Sequence, residues 1–190
     1  MRILMLGNSF IFYNDMPDML AALTGAEVVQ HTRGGARLAE FLNPKTQMGA
    51  LTQAALREEQ WDYVILQEMS NGPITARESF FKSVAALCTQ IRANGAVPVL
   101  YATWAYERGS AKMAAMEASA GTSYEEMYEQ MTAAYHKAAK ANGALVADVG
   151  RAFFERADTE QLYAEDSTHP NEAGSRLAAQ VLSEVIRNPG

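Results

Sequence analysis

Residues 1–10, Met-Arg-Ile-Leu-Met-Leu-Gly-Asn-Ser-Phe, join a short apolar run to a serine. The run at 3–6 predicts a buried β-strand, and Gly7 predicts its end. Ser9 therefore lies where a first strand ends. In an open parallel α/β sheet, ligands bind at the carboxyl ends of the strands. The hydroxyl of Ser9 is thus a candidate nucleophile, provided that another part of the chain supplies a base.

Strand-like and helix-like segments alternate along the rest of the chain. Further apolar runs predict strands around 28–29 and at 63–66, 97–102 and 144–147. Segments with helical spacing of apolar residues lie at 16–24, 37–42, 51–59, 80–94, 124–141 and 171–186. Five apolar strands alternating with helices imply a parallel sheet covered on both faces. We therefore predict one α/β domain, residues 1–190, built as a three-layer α/β/α sandwich with strand order 2-1-3-4-5.

Composition limits the class of protein. The chain has 190 residues, 48% hydrophobic and 20% charged, which is typical of a globular domain. The formal net charge of −6 argues against a nucleic-acid partner, since such binding depends on a basic face. No stretch approaches the roughly 18–20 apolar residues of a membrane span, and no signal-like segment is visible. We expect a cytoplasmic protein, and the sequence leaves its oligomeric state open.

The segment 103–123 does not fit the alternation. It is rich in Ala and Met, opens with Thr-Trp-Ala-Tyr, and follows the fourth predicted strand. A long connection inside a compact domain is usually functional or mobile. Two interpretations remain open: a lid or substrate-binding insertion, or an extra helix that packs Met113 and Met116 into the core.

Several common motifs are absent from the sequence. Neither Gly-x-Gly-x-x-Gly nor a Gly-Lys-Ser/Thr phosphate loop follows the first predicted strand. Ile11 occupies the place of the second glycine in a Gly-x-Ser-x-Gly elbow. Dinucleotide binding, nucleotide hydrolysis and the usual α/β-hydrolase arrangement therefore lose support.

The best candidate for a base is His169. Asp166 precedes it by three residues, and Pro170 follows it immediately before the last predicted helix. Such a turn can present a carboxylate and an imidazole side by side, so that one ring nitrogen is held and the other takes a proton. A hydroxyl nucleophile needs this pair. Taken alone, the motif is better explained as a polar loop in which Asn171 caps the helix. The position of Ser9 at the end of the central strand, and of the 166–169 loop before a helix that must pack next to strand 1 or 5, favours the catalytic interpretation.

Acyl transfer also needs donors for the oxyanion that forms during the reaction. Candidates are the N–H of Ser9, the N–H groups of Gly34 and Gly35 after the second strand, and the amide of Gln67 or Asn71 after the third. Strands 1, 2 and 3 are neighbours in the predicted order, so we expect these groups to converge at one edge. Each has a simpler explanation as a turn or strand-end residue.

At these residues the chain resembles the SGNH hydrolases, also called the GDSL esterase/lipase superfamily. Residues 7–9, Gly-Asn-Ser, are similar to the first block Gly-Asp-Ser, with Asn8 in place of aspartate. Gly35 matches the glycine of the second block, and residues 166–170, Asp-Ser-Thr-His-Pro, match the last block. The resemblance covers the whole chain and implies the predicted sandwich with its flavodoxin-like strand order.

The third block departs from the family pattern. The usual Gly-x-Asn-Asp is absent, and residues 66–71 read Leu-Gln-Glu-Met-Ser-Asn. This stretch is more similar to the Gln-Gly-Glu pattern of the carbohydrate O-acetylesterase branch, where the glutamine takes the oxyanion role. The resemblance therefore implies that role for Gln67, with Asn71 as the substitute.

The mechanism that the resemblance implies is acyl transfer through a Ser9–His169–Asp166 triad, with no metal or organic cofactor. Three functions remain open. The favoured one is a serine esterase for small acyl esters, above all acetyl, on carbohydrate or another alcohol. A second is a lysophospholipase or thioesterase in which 103–123 lines a tunnel for longer acyl chains. A third is an inactive carbohydrate-binding module. For the substrate contacts we predict Asn8, together with Trp104 and Tyr106 as an aromatic platform.

Overall fold

The computed structural model of the chain describes residues 1–188, and its strands form one parallel sheet. The strands are β1 (Arg2–Gly7), β2 (Glu27–Thr32), β3 (Tyr63–Leu66), β4 (Val97–Tyr101) and β5 (Leu145–Ala147). Their order across the sheet is β2-β1-β3-β4-β5, and every neighbouring pair is parallel. The predicted strand order is therefore confirmed, with β1 between β2 and β3.

Helices connect the strands and cover both faces of the sheet. They are α1 (Ser9–Phe12), α2 (Met16–Thr24), α3 (Leu38–Phe41), α4 (Gln47–Glu58), α5 (Gly72–Thr75), α6 (Arg77–Asn94), α7 (Ala111–Ala120), α8 (Tyr124–Asn142), α9 (Val149–Arg156) and α10 (Glu172–Arg187). A 3₁₀ turn, Tyr13–Asp15, joins α1 to α2. Within 1–188, none of these helices has the length and apolar character that crossing a membrane requires.

The two faces of β1 bury side chains in two different layers. Ile3 and Met5 pack with residues of α2, α9 and α10, whereas Leu4 and Leu6 pack with residues of α4, α6 and α8. All four side chains have no exposed surface, since successive residues of a strand point to opposite faces and both faces are covered. This two-sided burial explains why the strand is a continuous apolar run rather than an alternating one.

The segment 103–123 contains α7, which packs beside α8. Ser110 caps the helix by accepting a hydrogen bond from the Met113 N–H at 3.1 Å. Met113 and Met116 are buried in a small apolar cluster with Met127 and Met131 of α8. The arrangement is that of the extra-helix interpretation, and a role as a lid stays a prediction.

Three loops and one turn meet at the carboxyl edge of the sheet. The chain leaves β1 into α1, leaves β2 into the Gly34-Gly35 loop, and leaves β3 into the loop that begins at Gln67. The turn before α10 reaches the same edge, where Tyr163 and Pro170 form an isolated antiparallel bridge. The elements thus bring the segment after β1 and the turn before α10 to the edge where a parallel sheet binds ligands.

Candidate active site

The turn between β1 and α1 presents Ser9 at the edge of the sheet. Asn8 caps α1 through its Oδ1, which accepts from the Phe10 N–H at 3.2 Å. The Asn8 side-chain amide donates to the carbonyl of Ala36 at 3.0 Å. The Asn8 backbone N–H donates to Gln67 Oε1 at 2.9 Å. The turn is thereby fixed to the loops that follow β2 and β3, which holds Ser9 in one place.

The structure brings His169 and Asp166 next to Ser9. Ser9 Oγ lies 2.7 Å from His169 Nε2, and His169 Nδ1 lies 2.5 Å from Asp166 Oδ2. The second carboxylate oxygen, Oδ1, accepts from the backbone N–H of Thr168 at 3.0 Å and from that of His169 at 2.9 Å. Ser167 completes the turn in a left-handed conformation with φ 58°. One carboxylate therefore shapes the turn and holds the ring.

The charge of Asp166 determines which nitrogen of His169 carries the proton. Partial burial raises the pKa of Asp166, but hydrogen bonds from the His169 ring and from the two backbone N–H groups outweigh it, so the pKa lies below its ordinary value. An ionised carboxylate can only accept hydrogen bonds, so Nδ1 bears the hydrogen. Nε2 is then free to accept the Ser9 proton.

Two aromatic rings fix the plane of the His169 imidazole. The Tyr13 ring stacks on it with a centroid separation of 4.3 Å and an interplanar angle of 20°. The Phe10 ring meets it edge-on at 5.5 Å. Tyr13 was not among the residues predicted from the sequence, although its place one helical turn beyond Ser9 is a usable signal, since residues four apart share a helix face.

Ser9 and His169 line a cavity of about 420 Å³. Its wall is formed by α1 and the turn after it, the loops after β2 and β3, and the His169 turn. The lining residues are Asn8, Ser9, Phe10, Phe12, Tyr13, Gly34, Gly35, Met69, Ser70, Thr168 and His169. The volume falls within the range of small-molecule sites. Phe12, Met69, Ser70 and Thr168 were not among the residues that the sequence singled out.

Two backbone N–H groups at the cavity are available as donors. Ser9 begins α1, and the first N–H groups of a helix have no partner within the helix. Gly35 lies on the cavity wall with φ 70°, a left-handed conformation that glycine adopts without strain. Neither N–H donates a backbone hydrogen bond within the described part of the chain. Both N–H groups therefore stay candidates for the predicted oxyanion donors.

Gln67 and Asn71 do not reach the cavity, contrary to the prediction for an amide donor. Gln67 is fully buried; its Oε1 accepts from the Asn8 N–H and its Nε2 donates to the Glu68 carbonyl. It fills the space beside Gly7, where an added Cβ would lie 2.4 Å from Gln67 Oε1. Asn71 precedes α5, and its Oδ1 accepts from the Thr75 hydroxyl at 3.3 Å. The Gln67 amide is thus engaged inside the protein, whereas the Asn71 oxygen bonds to Thr75 at the surface.

Asn8, Trp104 and Tyr106 also differ from their predicted role in substrate contact. Asn8 borders the cavity, but its amide is already hydrogen-bonded within the protein. Trp104 is 1% exposed because its ring stacks between Phe10, at 4.7 Å, and Phe153, at 4.1 Å. Tyr106 is buried as well. An aromatic platform for sugar needs an open ring face, which neither side chain offers.

Trp104 instead supports the His169 turn. Its indole Nε1 donates to the carbonyl of Thr168 at 3.0 Å. A buried indole N–H usually has such a partner, and here the partner is the residue before His169. Trp104 therefore contributes to the site through the main chain of the turn rather than through substrate.

A buried carboxyl group, Glu68, lies behind the cavity. Its Oε1 accepts from the Met69 N–H at 2.7 Å, and its Oε2 accepts from the Leu38 N–H at 3.2 Å. These bonds join the loop after β3 to the start of α3, which follows the glycine loop. Desolvation raises the pKa of Glu68, and the two N–H bonds offset only part of the rise.

Comparisons with known proteins agree with this architecture. The model of the GDSL-like lipase/acylhydrolase family matches residues 6–177. Among solved structures, a candidate SGNH hydrolase from Slackia heliotrinireducens is 54% identical, with a TM-score of 0.91 and 98% of both chains covered. No curated protein matches the chain at a significant level.

Two more distant structures share the fold. A DUF4886 family protein from Bacteroides uniformis is 20% identical, with a TM-score of 0.72 over 97% of this chain and 82% of its own. The acetylxylan esterase Axe2 from Geobacillus stearothermophilus is 16% identical, with a TM-score of 0.67 over 97% of this chain and 93% of its own. At these identities the likeness concerns the fold alone.

Proposed function

The chain belongs to the GDSL-like lipase/acylhydrolase family, whose members are hydrolases acting on ester bonds, and from this premise we propose that it is a serine esterase with Ser9, His169 and Asp166 as its catalytic triad. The observation that carries the proposal is the pair of hydrogen bonds, 2.7 Å from Ser9 to His169 and 2.5 Å from His169 to Asp166. These distances match what a nucleophile, its base and the group orienting the base require.

In the proposed reaction, Ser9 Oγ attacks the ester carbonyl while His169 Nε2 takes its proton. Asp166 stabilises the imidazolium that forms. The N–H groups of Ser9 and Gly35 donate to the oxyanion, and Ser70 is the third donor. His169 then returns the proton to the departing alcohol. A water deprotonated by His169 attacks the acyl-enzyme, and the acid leaves as Ser9 Oγ regains its proton.

A small acyl group fits the site better than a long chain. The cavity of about 420 Å³ is walled by Phe12, Tyr13 and Met69, and no residue of α7 lines it within the described chain. Met113 and Met116 belong to the segment that could line a tunnel for longer acyl chains, and they are packed against α8 instead. The acetylxylan esterase of the same fold makes acetylated carbohydrate the first substrate class to test.

The test uses purified protein and a series of p-nitrophenyl esters from acetate to octanoate. We expect the highest kcat/KM with acetate, and Ser9→Ala should lower kcat by at least about 10³-fold. Ser119→Ala, on the exposed face of α7, is the matched control and should keep full activity. A fluorophosphonate should add covalently to the native protein and not to Ser9→Ala. Full activity in Ser9→Ala would refute the triad, and a maximum at octanoate would refute the small acyl group.

A further inference from the structure

The 3₁₀ turn after α1 holds two consecutive residues in the left-handed region. Asn14 has φ 54° and ψ 30°, and Asp15 has φ 53° and ψ 38°. Residues other than glycine rarely adopt this backbone conformation, and it persists only where the surrounding structure fixes it. Contacts at this place in the fold must therefore hold Asn14 and Asp15 in this conformation.

Asn14 makes two hydrogen bonds to the other end of the chain. Its Nδ2 donates to the Pro170 carbonyl at 3.0 Å and to Ser175 Oγ at 2.8 Å. Ser175 is 1% exposed, and its hydroxyl donates in turn to the Tyr13 carbonyl at 3.3 Å. Both hydrogens of the amide are used, one of them on the residue that directly follows His169.

Three successive carbonyls of the His169 turn are each bound by a different part of the fold. Trp104 donates to the Thr168 carbonyl at 3.0 Å, and the Ala164 N–H donates to that of His169 at 2.8 Å. The third carbonyl, of Pro170, is bound by Asn14. Of these three bonds, only the one from Asn14 comes from the segment that carries Ser9. Ser9 precedes Asn14 by five residues.

We propose that Asn14 is a positioning residue that fixes the distance between Ser9 Oγ and His169 Nε2. The inference rests on the proposed function, because it concerns the triad of that same site. The left-handed pair turns the chain so that the Asn14 amide faces Pro170 and the Tyr13 ring lies on His169. A simple connection between α1 and α2 would be better served by glycine, which adopts this conformation freely.

The chain offers a matched pair of variants. Asn14→Gly removes the amide and relieves the backbone strain at position 14. Asp15→Gly relieves the same strain at the next position but removes no hydrogen bond to the His169 turn. Asn14→Asp keeps the size and the tolerance of the left-handed region but cannot donate to Pro170 in its ionised form. It serves as the second variant where Asn14→Gly does not fold.

The experiment measures kcat and KM for p-nitrophenyl acetate, the midpoint of thermal unfolding, and a crystal structure of each variant. We expect Asn14→Gly to lower kcat about 10- to 100-fold with KM little changed, because a displaced base costs rate rather than binding. Asp15→Gly should resemble the native protein. In the Asn14→Gly crystal, Ser9 Oγ and His169 Nε2 should be beyond hydrogen-bond reach.

An unchanged Ser9–His169 distance in Asn14→Gly, or an equal loss of kcat in Asp15→Gly, would overturn the proposal. Failure of the proposed function gives a different pattern. In that case the native protein hydrolyses no ester and Ser9→Ala changes nothing, while the crystal structures still decide whether Asn14 sets the distance.

Discussion

Ser70 lies on the cavity wall where the sequence predicts an amide from Gln67 or Asn71. Its Oγ is 3.3 Å from the Tyr106 hydroxyl, and either oxygen can be the donor. When Tyr106 donates, the Ser70 O–H is free to point toward an oxyanion in the cavity. Ser70 is therefore the side chain best placed to act as the third donor in the proposed mechanism.

We expect Ser70→Ala to lower kcat for p-nitrophenyl acetate by about 10- to 100-fold, because the transition state loses one donor. KM should change little, since the ester carbonyl of the ground state carries less charge. Asn71→Ala is the matched control, one residue along in the same loop but outside the cavity, and should retain native kcat. A loss of kcat in Asn71→Ala with none in Ser70→Ala would restore the role that the sequence predicts for Asn71.

The sequence predicts the proximity of Ser9, His169 and Asp166 that the structure has, but not the orientation of Gln67, and the difference is physical. Asp166 and His169 interact within one short turn, so their spacing alone predicts that they lie together. The orientation of Gln67 depends on the space beside Gly7 and on the hydrogen bond that its Oε1 accepts from the Asn8 N–H, and both residues lie 59 or more positions earlier. No local pattern contains that information.

At the scale of elements, α7 tests the two interpretations of the segment 103–123. Met116 is 7% exposed and packs in the cluster shared with α8. Met116→Ala should lower the free energy of unfolding by about 2 kcal/mol, because truncating a buried methionine leaves a void. Unfolding in urea measures this loss. Glu117→Ala, on the exposed face of the same helix, should leave stability close to native.

The same variant decides whether α7 contributes to substrate selection. The order of preference among p-nitrophenyl esters should stay unchanged in Met116→Ala, since α7 does not line the cavity. A shift of the preferred acyl length without loss of stability would show that 103–123 is a lid or a substrate-binding insertion.

Elements with strong apolar patterns are predictable from sequence, and those defined by tertiary contacts are not. The strands β1, β3 and β4 follow from apolar runs because both faces of the sheet are covered. Helix α9 is short and contains Gly150, which argues against a helix from sequence alone. The fold requires that glycine, because a Cβ there would lie 2.3 Å from the Thr103 carbonyl. Trp104 was misjudged for a similar reason, since its stacking partners Phe10 and Phe153 come from distant elements.

At the scale of the whole molecule, the sheet brings residues 160 positions apart into hydrogen-bond contact. Helix α10 packs on α2, so the last helix and the segment after β1 form one layer. On the other layer, the Glu68 carboxyl group joins the loops that follow β2 and β3. The site is thus assembled from contacts on both sides of the sheet.

Asp166 and Glu68 give the fold opposite dependences on pH. The pKa of Asp166 is lowered from 3.8, so its stabilising bonds are present above that value and are lost as pH falls through the lower folded pKa. The pKa of Glu68 is raised from 4.5, so the folded state binds its proton more tightly than the unfolded state. The stability that Glu68 contributes is therefore full below 4.5 and declines as pH rises through its folded pKa.

Glu68→Gln should remove the decline in stability that Glu68 causes as pH rises, because the amide does not ionise. The amide also loses one acceptor for the N–H groups of Met69 and Leu38, which lowers stability by a constant amount at every pH. The informative quantity is therefore the difference in unfolding free energy between variant and native protein, measured in urea from pH 4 to pH 8. We expect this difference to shift in favour of the variant as pH rises. A difference independent of pH would mean that Glu68 has the same pKa in the folded and the unfolded protein. Burial of Glu68 would then add no free-energy cost to its ionisation.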